Sequence, residues 1–289
     1  MPLRLLWKPN FNQYFLVYEE PEQIESLTCS ICKSKIVGRK IKSKILFPES
    51  SIDVPEELFD LPKANSKLAN KELDLPLQAN EWVIPLAKKH ETEKITAEDV
   101  EELFKRSLST LLREVTRELK SEYKHVYCFT LLNHPGRGTL FHPQIRCLSF
   151  KHTILTPYWA KNSESQCPLC YEIRKVNENE VIYTGRSILA YKPDKALTKG
   201  EIIITTKHHK SIQNTPKKLI NELIRALQVL LPKIFEEKGE SEYIYISYDF
   251  LPKNHIYIRI VKVDYGIKIE YQITQILSDR NIRLLFSNE

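Results

Sequence analysis

The sequence predicts an α+β fold, built as a tandem duplication of two domains that each pack a helix on an antiparallel sheet. Three observations predict it. Two Cys-x-x-Cys pairs, Cys29/Cys32 and Cys167/Cys170, stand far apart in the chain. Each is followed by strand-like runs that end at a histidine, His90 in one case and His209 in the other. Six residues after each histidine comes a threonine, Thr96 or Thr215, that opens an amphipathic segment.

The elements follow in the same order in each half. "EWVIPLAKKH" reads as a strand running to His90, and "RSILAYKPDKALTKGEIIITTKHH" as two strands broken by a turn and running to His209. Thr96 and Thr215 suit helix N-caps, and Pro216 suits a first helical turn. Glu98, Asp99 and Glu101 favour the positive end of the first helix. Val100, Leu103, Leu108, Leu111, Leu112 and Val115 form one apolar stripe. Leu219, Leu223, Ile224, Leu227, Leu230 and Leu231 form its counterpart. Strands return with "HVYCFTLLN" and "QIRCLSF", then with "YIYISYDF" and "HIYIRIVKV". The expected halves are 1–155 and 156–289.

Composition narrows the class. The 289 residues are 42% hydrophobic and 28% charged, as in ordinary globular proteins. No apolar run has the length of a membrane span, and the first residues lack the apolar core of a signal peptide. The expectation is a cytoplasmic protein. A net charge of +6 suits phosphate-bearing ligands, but a solvated lysine-rich surface is the favoured explanation. Six cysteines are too few for a disulfide scaffold of this length. Cys128 and Cys147 are expected to pack on facing strands, with a disulfide as the lesser option.

The repeat offers each half one set of metal ligands: Cys29, Cys32, His90 and His142, then Cys167, Cys170, His209 and His255. Two thiolates and two imidazoles complete a closed, structural tetrahedral zinc site. His208 is an alternative to His209, and a redox role for either Cys pair lacks a thioredoxin-like setting. His125, His134 and His152 have no counterpart and read as surface or loop residues. The Tyr/Ile strand "YIYISY" leaves base stacking by nucleic acid as a minor reading.

This order of features resembles the galactose-1-phosphate uridylyltransferase family of the histidine-triad (HIT) superfamily, over nearly the whole chain. "CPLCYEIRKVNENEVIYTGRSILAYKPDKALTKGEIIITTKHH" is similar to the opening of a histidine-triad domain. The resemblance implies two HIT-like domains, zinc on Cys and His, a homodimer, and a nucleotide or nucleotide-sugar substrate. It also implies a phosphate-side loop of Asn133, Gly136, Gly138 and Thr139, with Arg137 and Arg146 flanking it.

The family's loop ends in His-Pro-His-x-Gln, whereas this chain has "FHPQIRC" from Phe141 to Cys147. Two registers follow. In one, His142 is the nucleophile of a nucleotidyl transfer between a nucleotide sugar and a sugar phosphate, and Gln144 holds the transferred phosphate. In the other, His142 is the zinc ligand and Gln144 stands in the nucleophile's place, where an amide forms no phosphoramidate. The second half has His255 with Tyr257 two residues on. Both halves then keep one histidine and lack the other, which favours the zinc register. The functional expectations are a nucleotidyltransferase acting through His142, or an inactive scaffold that binds nucleotide, RNA or protein.

Overall fold

Two long amphipathic helices lie side by side on one face of a nine-stranded antiparallel sheet. A computed structural model describes residues 3–8, 13–19, 31–32, 36–42, 73–76, 79–90, 94–133, 142–151, 168–193, 200–209, 217–240, 242–250, 255–264, 273–277 and 280–287.

The first helix, α1 (Ala97–Lys120), begins where the sequence places it. The Thr96 side chain accepts from the Asp99 N–H at 3.2 Å, and Asp99 accepts from the Thr96 N–H at 2.7 Å. This reciprocal cap satisfies two donors that the helix cannot. The expected apolar stripe is buried, joined by Phe104, while Leu103 packs at its margin. A short helix, α2 (Pro168–Ile173), carries Cys170. The third, α3 (Lys217–Glu237), buries all six leucines and isoleucines of its expected stripe. Its proposed cap, Thr215, and Pro216 lie outside the described residues.

The large sheet has the order β3 (Ile41–Lys42), β5 (Asn80–Pro85), β7 (Gln144–Phe150), β6 (His125–Leu132), β11 (Glu242–Phe250), β12 (Tyr257–Asp264), β10 (Ile202–Thr206), β9 (Ile188–Tyr191), β8 (Val181–Thr184). From the central β6–β11 pair the strands run β6, β7, β5 on one side and β11, β12, β10 on the other. Alternate residues face the helices, as a period of two requires. Trp82, Ile84, Val126, Cys128, Ile145 and Cys147 share one core with α1, and Ile202, Ile204, Ile244, Ile246, Ile258 and Ile260 join the same core with α3.

β5 and β10 end sooner than the sequence suggests, at Pro85 and Thr206. The chain then bends for several residues before reaching His90 and His209. Cys128 and Cys147 are direct partners on β6 and β7, with Cα atoms 4.1 Å apart, and form a disulfide. The expectation of facing strands holds, and the lesser option is the one adopted. His125 is a correction: it is 2% exposed at the start of β6, with its ring against Phe150. Phe150 is also its cross-strand partner on β7, so the burial comes from packing across the sheet face.

A second sheet was not anticipated. It has five strands, ordered β13 (Ile273–Leu277), β14 (Arg280–Ser287), β2 (Gln13–Glu19), β1 (Leu3–Lys8), β4 (Leu73–Pro76). β14 runs parallel to β2, so the two ends of the chain meet in one ladder. Among the described residues no helix is long and apolar enough to cross a membrane.

Candidate metal centres and nucleotide loop

Each cluster is assembled from a helical turn, the bend after one strand, and the lead into another. In the first, Cys32 lies in a helical turn, His90 follows β5, and His142 precedes β7. Their ligand atoms all lie within 4.8 Å of one another. Cys32 Sγ is 3.4 Å from His142 Nδ1, and the rings of His90 and His142 meet edge to face at 5.0 Å. In the second, Cys170 Sγ is 3.0 Å from His255 Nε2 and 3.8 Å from His209 Nδ1. The His209 and His255 rings meet edge to face at 4.8 Å.

This spacing suits a small tetrahedral cation. Metal–sulfur and metal–nitrogen bonds of about 2.3 and 2.1 Å put the two donors roughly 3.6 Å apart. Each inner histidine is also held from behind, as ligating imidazoles usually are. His142 Nε2 is 2.8 Å from the Ala87 carbonyl. His255 Nδ1 is 2.9 Å from Thr206 Oγ1 and 3.2 Å from its carbonyl. These positioning groups, Ala87 just past β5 and Thr206 at the end of β10, were missed from sequence because a carbonyl leaves no mark in it and a lone threonine hydroxyl little more.

Burial lowers the pKa of His90. In His142 burial is again the main cause, opposed by the Ala87 carbonyl and reinforced by the neighbouring His90. Both shifts favour the neutral imidazole, the form that offers a lone pair to a metal. Cys29 and Cys167 lie outside the described residues, so the clusters described are Cys–His–His.

Around the loop, Asn133 sits at the end of β6 with a left-handed backbone (φ 61°), a conformation that asparagine tolerates better than most residues. Gly136, Arg137, Gly138 and Thr139 lie outside the described residues. Gln144 opens β7 and is buried. Arg146 is 1% exposed, and its guanidinium lies 2.6 Å from Glu81 Oε1. Tyr257, the counterpart of Gln144, is buried among Leu169, Cys170, Leu189, Tyr191 and Ile203. His208 is not part of either described cluster.

Known structures share the fold. A uridylyltransferase superposes with a TM-score of 0.57 at 16% identity, covering 90% of this chain and 86% of its own. A galt-like protein from Arabidopsis thaliana gives 0.56 at 14% identity, covering 91% and 90%. The fold is that of these uridylyltransferase structures. An ADP-glucose phosphorylase from Arabidopsis thaliana, solved with ADP-glucose bound, has the same uridylyltransferase-like fold. Its TM-score is 0.54 at 13% identity, with 90% and 89% of the chains covered. Residues 158–274 also match the family described as protein similar to CwfJ C-terminal. No curated protein matches the chain by sequence.

Proposed function

We propose that the protein binds a nucleotide or nucleotide sugar on a scaffold of two zinc-bearing domains, 1–155 and 156–289, and makes no covalent nucleotidyl intermediate. The observation that carries this reading is the position of His142, grouped with Cys32 and His90 as His255 is grouped with Cys170 and His209. That correspondence supports His142 as a zinc ligand beside Cys29, Cys32 and His90. The second zinc would take Cys167, Cys170, His209 and His255. Gln144 then stands where a transferase needs an imidazole, and its amide nitrogen, with its lone pair delocalised, does not displace a phosphate.

The tandem duplication is supported by the mirrored strand order about the β6–β11 pair. The ligand is supported by the fold, since one structure of this fold holds ADP-glucose. The loop of Asn133, Gly136, Arg137, Gly138 and Thr139 would hold its phosphates through backbone N–H groups and one guanidinium. A cytoplasmic location is the natural setting, because thiolate ligands require reducing conditions. The Cys128–Cys147 bond lies at 0% exposure in the core, beyond the reach of reductant in the folded state.

Zinc analysis and labelled nucleotide sugars test the reading together. Two zinc ions per chain, one of them lost in His142→Ala, with reversible nucleotide-sugar binding and no adduct, is the expected result. An acid-labile, base-stable phosphoryl adduct on His142 would overturn it and establish a nucleotidyltransferase.

A further inference from the structure

Further along the strand that follows each inner histidine the sheet buries an ion pair, and the two pairs occupy corresponding positions. On β5 and β7, Arg146 Nη1 lies 2.6 Å from Glu81 Oε1. Beside β10 and β12, Arg259 Nε donates to Glu201 Oε1 at 2.7 Å. Arg146, Arg259 and Glu201 are each 1% exposed, and Glu81 is 4% exposed. Each arginine comes four residues after an inner histidine, 142 to 146 and 255 to 259. In each half the glutamate lies two residues before the arginine's strand partner, Val83 for Arg146 and Ile203 for Arg259.

Charges in a core are costly to bury, and apolar replacements often serve stability as well or better. Their use must therefore be sought elsewhere. Hydrophobic alternation forbids a slip of one residue between strands, because every side chain would change face. A slip of two residues keeps every side chain on its own face. In "NEWVIP" and "QIRCLSF" it would still bury an apolar row. In the direction that sets Glu81 opposite Phe150 it would, however, part Glu81 from Arg146 and strand both charges in the core, so the pair opposes that slip. The reverse slip, which sets Glu81 opposite Arg146, is opposed by the histidine contacts alone. Either slip would displace His142 from Ala87 and His90 by about 6.8 Å, two residues of strand rise. That exceeds the 4.8 Å within which the ligand atoms lie.

We infer that Glu81–Arg146 and Glu201–Arg259 are register pins against the slip that parts them, positioning residues that bring the correct histidines into each metal cluster. What they position rests on the zinc reading. Each pin acts on its own half, so the two clusters lose their metal independently when one pin is removed.

The test replaces one pin by apolar side chains in the full chain, Glu81→Met with Arg146→Met. Co2+ binding is read from its absorption bands, and amide exchange is followed at Leu86, whose N–H donates to the Pro143 carbonyl across this ladder at 2.8 Å. The expected variant melts no lower than the wild type. Its first cluster binds Co2+ about 10- to 100-fold more weakly, as when other positioning groups of metal ligands are removed. The second cluster is unchanged and Leu86 exchanges faster. Unchanged Leu86 exchange and Co2+ affinity would overturn the inference, as would a lower melting point with the first cluster intact. If this variant does not fold, Glu201→Met with Arg259→Met puts the same question to the second cluster. If neither folds, the pairs are stability elements and the inference fails. A wild-type chain that binds no Co2+ refutes the metal reading alone, and Leu86 exchange then decides the pin by itself.

Discussion

In the first cluster His142 turns Nδ1 toward the thiol and Nε2 toward the Ala87 carbonyl; in the second, His255 is turned the other way, with Nε2 toward Cys170 and Nδ1 toward Thr206. A tetrahedral cation accepts either nitrogen, so the local acceptor decides which one is left to bind. Position 144 departs further from position 257. Tyr257 packs its ring into an apolar cluster, while Gln144 buries an amide at the start of β7. The comparison teaches that the two halves share their cluster geometry but bury different side chains two residues beyond the inner histidine, an amide in one and an aromatic ring in the other.

The largest effects test whether the halves are one folding unit. Leu111 and Leu223 lie on different helices within the shared core, at 0% exposure. Leu111→Ala and Leu223→Ala should each cost about 4 kcal/mol. Each should lower a single unfolding transition seen by calorimetry; two separating transitions would break the picture of a common core.

Removing a ligand sharpens the contrast between the clusters. Cys170 is buried, whereas Cys32 is half-buried. Cys170→Ala should cost about 3 kcal/mol and one zinc per chain, measured by chemical denaturation and metal analysis. Cys32→Ala should cost less stability for the same loss of metal. Equal penalties would show that burial of the thiol does not set its contribution.

Exchanging the divergent residues comes next. Gln144→Tyr should weaken nucleotide-sugar binding about tenfold, roughly 1.4 kcal/mol, by calorimetric titration. Tyr257→Gln should leave binding unchanged and lower the melting point instead. At the first helix, Thr96→Ala should cost about 1 kcal/mol by urea denaturation, through loss of the reciprocal cap with Asp99.

The smallest effect is that of pH on the metal-free protein. His90 and His142 have lowered pKa values when folded, chiefly through burial. The unfolded chain therefore takes up protons first as pH falls through about 6.5. Stability should fall from neutral pH into this range and level off below the folded values. Urea midpoints of chelator-treated protein would measure this, and His142→Asn should flatten the slope.

Much of the fold was legible. The helices, their stripes, the Thr96 cap and the strands around His142 and His255 all follow from local periodicity and turn chemistry. The grouping of Cys32 with His90 and His142 followed from order repeated in two halves. The buried ion pairs left a fainter signal, the "QIR" and "YIR" that follow each inner histidine. Arg146 is expected to flank the loop and reach phosphates because strand alternation alone does not reveal that both faces of the sheet are covered. The terminal strands escaped because β2 and β14 are each other's partners across nearly the entire chain.

What the amino-acid sequence determined by itself is the set of elements and the kinds of ligand, since side-chain period, caps and donor chemistry act over a few residues. Tertiary structure alone decided that β6 meets β11 to make one sheet of two halves, that the chain ends share a ladder, and that Cys128 and Cys147 are joined as a disulfide. It also decided which imidazole nitrogen faces each thiol. These outcomes depend on contacts between residues distant in the chain, whose free energy depends on the burial and partners that only the assembled fold supplies.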